Sequence, residues 1–197
     1  MPSLAYFIEC FLNLSLGVVA SDILEHISPN PLSGIVYLAS FPYLASLGQL
    51  NTPFVNSLRP GMISADDVAL SKNSEVEFVE GLFAQSQALP FSVLSSWIGM
   101  SSFQSPNQSV FTTTRPQDPT ALIASGQAGL PVLFLQGTDD KTLAGEKTLE
   151  LLQTMFVNIT VNWIEHGSHA AFYDNQTEVV TSLLTFLSRV SVSTQSF

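Results

Sequence analysis

From Leu4 to Leu12 the chain is apolar almost without a break, interrupted only by Glu9 and Cys10. A run of that length without helical spacing suits a buried strand. A turn follows at Asn13–Gly17, and from Leu16 to Ile27 apolar residues return at Val19, Ile23 and Ile27, with Ala20 and Leu24 beside them. That spacing predicts a helix, which Pro29 and Pro31 end. Gly34–Ala39 is a second short apolar run. Strand, turn, helix and strand make a βαβ unit, which implies a parallel sheet and a right-handed crossover.

Between Ser40 and Gly129 the pattern changes to helical pieces punctuated by Pro42, Pro53, Pro60, Pro90, Pro106, Pro116 and Pro119. No segment there alternates like a strand. Ser64 with Asp67 and Ser74 with Glu77 have capping-box spacing and predict two helix starts. The βαβ rhythm resumes with a strand at Pro131–Gln136, a helix at Gly145–Phe156, a strand at Ile159–Ile164 and a last helix at Gln176–Val190. The expected organisation is an α/β domain in two parts, 1–43 and 130–190, around a helical insertion at 44–129, with a polar tail at 191–197.

Composition sharpens this. The 197 residues are 46% hydrophobic and 11% charged, which fits one domain with a real core. A formal charge of -10 repels phosphate backbones and anionic surfaces, so nucleic acid is not an expected partner. A single cysteine, Cys10, forbids an intrachain disulfide, and no spaced Cys/His set suggests structural zinc. Leu4–Ala20 could be read as a signal peptide whose removal would take Ser15 with it, but no Lys or Arg precedes it and Glu9 lies inside it. It is also short and polar for a membrane span, so no stable membrane insertion is expected. A cytoplasmic location is the expectation. Secretion is the alternative, which sequons at Asn13, Asn107, Asn158 and Asn175 permit without deciding.

Three residues suited to nucleophilic catalysis follow three of the expected strands: Ser15, Asp140 and His169. In a parallel sheet, ligands bind outside the carboxyl ends of the strands. Taken singly, each has a plain structural reading. Ser15 before an apolar helix would be an N-cap, Asp140 in Asp139-Asp140-Lys141 a solvated turn, His166 a loop residue and His26 a helix C-terminal dipole partner. Trp97, Phe91 and Met100 read as packing, and Asp66, Asp67, Glu75, Glu77 and Glu80 as solvated helix faces.

Together they are more specific. Leu130–Asp140, with Asp140 three residues after Gly137, resembles the strand that carries the acid in the α/β-hydrolase family, and Gly167-Ser-His169 is similar to its Gly-x-His turn. Asn13-Leu-Ser15-Leu-Gly17 is similar to the G-x-S-x-G nucleophile elbow, and 44–129 sits where the family inserts a cap. The resemblance covers the chain from about Phe7 to Leu187. It implies a partial parallel-sheet α/β-hydrolase fold with a helical cap, and a Ser15-His169-Asp140 triad with the Leu16 amide as an oxyanion donor. It further implies an ester or related carbonyl compound as small-molecule substrate, and no metal or cofactor. His169 would take the serine proton while Asp140 accepts the other ring N–H. Asn13 stands where the family has Gly, and only one strand precedes Ser15 where the family has five. The expectation is therefore a truncated product, or a chain whose exposed sheet edge takes up a partner chain or a second copy. The alternative reading is an inactive hydrolase-like fragment or binding module.

Overall fold

The computed structural model describes residues 5–9 and 18–193. Four parallel strands lie side by side in chain order: β1 (Ala5–Glu9), β2 (Leu32–Leu38), β3 (Val132–Gly137) and β4 (Ile159–Ile164). The register pairs Phe7 with Ile35, Ile35 with Val132, and Val132 with Ile159. Strand β1 lies at one edge and β4 at the other.

Helix α1 (Val19–His26) joins β1 to β2, and the chain then passes through a 3-10 turn at Leu44–Ser46 and helices α2 (Leu47–Leu50), α3 (Pro53–Met62), α4 (Val68–Gly81), α5 (Phe91–Ser101), α6 (Pro106–Thr114) and α7 (Thr120–Gln127) before β3. Helix α8 (Gly145–Met155) connects β3 to β4, and α9 (Ala171–Asp174) and α10 (Gln176–Ser193) complete the described chain. Helix α10 thus runs into the segment expected as tail, with Val190 buried near its end. No helix among the described residues is long and apolar enough to cross a membrane.

Because side chains alternate along a strand, the two faces of β2 and β3 feed two separate cores. Ile35, Tyr37, Val132 and Phe134 pack with Ala20, Leu24, Leu122, Leu152 and Met155 on one face. Val36, Leu38, Leu133 and Leu135 pack with Val179, Phe186 and Val190 of α10 on the other. The result is helix, sheet, helix in three layers, with β2 and β3 as its buried centre. The helix dipeptide Ala121-Leu122 belongs to the first of these cores, so α7 forms part of the layer with α1 and α8. The segment Leu44–Leu50 packs against Val18, Phe41 and Leu143.

Helices α3, α4 and α5 make their own cluster, in which Val55, Leu58, Phe78, Val79, Leu82 and Phe83 are buried and Leu94, Trp97 and Ile98 pack against them. Here the expected helix starts need correction. Asp67, not Ser64, caps α4: its carboxylate accepts from the Leu70 amide at 2.9 Å, while Ser64 accepts from the Asp67 amide at 3.2 Å. Ser74 starts nothing; it is buried in mid-helix, where a Cβ on Gly61 of α3 would fall 2.0 Å from its hydroxyl. The small pair lets α3 and α4 cross at close range. A capping box does exist, at Ser105 and Gln108 of α6. Glu75 is buried as well, taking Lys72 at 2.7 Å and Ser102 at 3.1 Å, and is not on a solvated face. Phe91 and Met100, expected as packing, are largely exposed, at 86% and 57%. Trp97 does pack, stacked on Phe172 and edge-on to Phe83.

Candidate active site

Strand β3 delivers Asp140 three residues past its end, and β4 delivers His169 five residues past its own, so both side chains rise from the carboxyl side of the sheet. The two turns lie main chain against main chain. The amide of Asp139 donates to the Gly167 carbonyl at 2.9 Å, and the His166 amide to the Thr138 hydroxyl at 2.8 Å. Such an approach requires a residue without a side chain at Gly137, whose added Cβ would stand 2.2 Å from the Gly167 carbonyl oxygen. His166 itself bends at φ +56 to make this turn, and its ring is out in solvent.

Across that contact His169 Nδ1 lies 2.8 Å from Asp140 Oδ2. The carboxylate is 1% exposed and the imidazole 12%. Asp140 is not left with one partner. Its Oδ2 also accepts from Gln136 Nε2 at 2.8 Å, and its Oδ1 accepts from the Thr142 amide at 2.7 Å, the Thr142 hydroxyl at 2.8 Å and the Leu143 amide at 3.2 Å. Burial pushes the Asp140 carboxyl up, yet the charge and hydrogen bond of His169 and the two Thr142 bonds outweigh it and hold the group below its usual carboxylate range. It is therefore ionised at neutral pH.

This has a consequence for acid stability. A carboxylate with a lowered folded-state pKa contributes stability that is present above its unfolded value, about 3.9, and is lost as pH falls through the lower folded value. Urea unfolding of the wild type and of Asp140→Asn, followed from about pH 6 down to about pH 2.5, should show a wild-type advantage that shrinks only below about pH 4. An advantage that stays constant over that range would contradict the ionised, donor-loaded carboxylate.

The base turn is pinned from the other side. Ser168 hydrogen-bonds Asp174, Asp174 Oδ2 accepts from the Ala84 amide at 3.1 Å, and the Ala170 amide donates to the Leu82 carbonyl at 2.8 Å. The acid turn is tied likewise to the start of the helical insertion. Asn51 and Leu143 form an antiparallel bridge, the Thr52 amide donates to the Thr142 carbonyl at 3.2 Å, and the Ala144 amide to the Leu50 carbonyl at 2.8 Å. Helix α1 is held at its first turn by Arg115, bidentate to Asp22 at 3.0 and 2.5 Å, and by Gln117, which donates to the Val18 carbonyl at 2.8 Å.

Of the residues expected from sequence, Asp140 and His169 are thus brought together, while Ser15, Leu16 and Asn13 lie outside the described residues. His26 falls in the last turn of α1. Gln136, Thr142, Ser168 and Asp174 were not singled out. Only Thr142 had a readable signal, an Asp followed two residues on by a hydroxyl residue, the spacing of an Asx turn.

No family model matches the chain, and no curated protein matches it. Solved structures do match, along nearly its whole length. An esterase from a Rhodococcus species superposes with a TM-score of 0.79 at 19% identity over 94% of this chain, and a Burkholderia cenocepacia protein solved as a candidate aryl esterase with 0.80 at 16% over 96%. The chain has the α/β-hydrolase fold. A bromoperoxidase from Bacillus anthracis shares that fold too, with a TM-score of 0.71 at 19% identity over 93% of this chain. The chain spans 65% of the Burkholderia protein, 66% of the Rhodococcus esterase and 67% of the bromoperoxidase. In this fold β3 and β4 are the strands whose ends lead to Asp140 and His169.

Proposed function

We propose that this chain is a serine hydrolase acting on an ester or related carbonyl compound. Ser15 is the nucleophile, His169 the general base and then acid, Asp140 the group that orients and stabilises the imidazolium, and the Leu16 amide an oxyanion donor. One observation carries the reading: a buried, ionised Asp140 hydrogen-bonded to His169 Nδ1, at the strand ends of an α/β-hydrolase fold. A lone Asp–His pair is common, but this one leaves Nε2 as the only ring nitrogen available to a nucleophile. In the sequence Ser15 stands four residues before Val19, the first residue of α1, a spacing that suits an elbow serine, and esterases are among the proteins of like fold. Acyl transfer needs no metal in this scheme: the hydroxyl loses its proton to His169 as it adds to the carbonyl, and the same proton passes to the leaving group.

The test is covalent. A fluorophosphonate probe on the purified protein should label one residue, and peptide mapping should put the label on Ser15. Absence of labelling, or a label on another serine, would overturn the assignment and favour the alternative of a binding module.

A further inference from the structure

Thr142 is wholly buried, and its hydroxyl touches both members of the acid–base pair, lying 2.8 Å from Asp140 Oδ1 and 2.6 Å from His169 Nδ1. A hydroxyl has one proton to give and lone pairs to accept with. The ionised carboxylate can only accept, so the proton goes to Oδ1. What remains facing the ring is a lone pair, and Nδ1 can meet a lone pair only as a donor. Nδ1–H is then shared between Asp140 Oδ2 and Thr142 Oγ1.

We infer that Thr142 is a positioning residue for His169, selecting the tautomer with the proton on Nδ1 and fixing the plane of the ring. A single hydrogen bond to Asp140 would leave the imidazole free to swing about the Nδ1 direction; two acceptors on different sides of it do not. The opposite tautomer would set a ring lone pair against the Thr142 oxygen at 2.6 Å and against Asp140 Oδ2 at 2.8 Å. The hydroxyl is itself fixed. A β-branched side chain is stiff at χ1, the Thr142 amide is bonded to Asp140, and its carbonyl is held by Thr52. Gln136 completes the arrangement by occupying the outer side of Oδ2, which keeps the carboxylate from turning away from the ring.

The inference rests on the hydrolase reading only for its effect on rate, so the test has an arm independent of chemistry. The chain has three histidines, His26, His166 and His169, so ring nitrogen spectra of protein carrying 15N-histidine are simple to assign, with His169→Gln removing its own signals. At about pH 9, where histidine is neutral, wild-type His169 should show a protonated Nδ1 and a bare Nε2. Thr142→Val, which keeps the shape and loses the hydroxyl, should give a mixture of tautomers and slow fluorophosphonate labelling by at least about 10-fold, less than the about 100-fold or more of a whole general base because Asp140 still holds the ring. Thr142→Ser should restore both. A Val variant with the wild-type ring pattern and labelling rate would overturn the assignment, as would a Ser variant that behaves like Val. If Val unfolds the acid turn, the wild-type spectrum still decides, because an Nε2–H ring in the native protein is incompatible with the arrangement. A wild type that never labels counts against Ser15 alone, and the ring measurement then judges Thr142 by itself.

Discussion

Replacing Asp140 by Asn is expected to slow fluorophosphonate labelling, and turnover of any ester the wild type accepts, on the order of 10⁴-fold, with the fold retained. The direction follows from the donors around the carboxylate. Three of them converge on Oδ1, from the Thr142 amide, the Thr142 hydroxyl and the Leu143 amide, so an Asn must place its carbonyl oxygen there. Its NH₂ then occupies the Oδ2 position, facing His169 Nδ1 and Gln136. Gln136 can accommodate this, since its Oε1 is buried without a hydrogen-bond partner among the described residues and a flip of the amide turns that acceptor toward the new NH₂. His169 can answer a donor at Nδ1 only by giving up the proton there and carrying it on Nε2, where it can no longer remove one from a serine. The variant should therefore stay folded, with the loss of stability at neutral pH described above, and show the inverted ring tautomer. A rate within about 10-fold of wild type would rule out the Asp140–His169 pair as the engine of the reaction.

Gly137→Ala should be the most damaging glycine-to-alanine change among the described residues. The new carbon would meet Gly167 O at 2.2 Å, Gly167 C at 2.4 Å and Ser168 O at 2.5 Å, and all three are main-chain atoms that cannot rotate aside. Relief requires the whole base turn to move off the acid turn, losing the Asp139–Gly167 hydrogen bond and stretching the Asp140–His169 contact. Overpacking typically costs about 1–3 kcal/mol, and a clash with backbone belongs at the upper end. At roughly 2–4 °C per kcal/mol for a domain of this size, the melting temperature should fall by about 6–12 °C. Gly99→Ala is the matched control, since its added carbon has nothing within 4 Å and replaces a helix-interior glycine. A Gly137 variant melting within about 2 °C of wild type would mean that the two turns are not packed as described.

The two halves of the chain were not equally legible. Strands β3 and β4 were readable because β3 is buried on both faces, giving an unbroken apolar run, and because the turns behind them carry Gly137, Asp140 and Gly167-Ser-His169. The insertion was helical as expected, yet its helix faces misled. In α4 the polar Ser71, Ser74 and Glu75 share the buried face with Phe78 and Val79 while Val68 and Leu70 are exposed at 70% and 46%, so hydrophobic periodicity marks the face only in the second half of the helix. Ser74 is inside because Gly61 leaves room only for a small side chain, and Glu75 because Lys72 and Ser102 satisfy it. Long-range partners of this kind leave no mark on local spacing. The same is true of the site's supports: Asp140 and His169 stand in recognisable turns, whereas Gln136, Ser168 and Asp174 gain their roles only when the turns meet.

The helical insertion is stitched to the turns that carry Asp140 and His169 at two places, Leu50–Thr52 to the first and Leu82–Ala84 to the second. It is therefore no interchangeable lid. Grafting the corresponding segment from another protein of this fold would alter how far Asp140 stands from His169. A chimera keeps the Asp140–His169 contact only if the donor segment brings main-chain groups that match those of Leu50, Thr52, Leu82 and Ala84, and in evolution the same requirement ties drift in the insertion to drift in that pair.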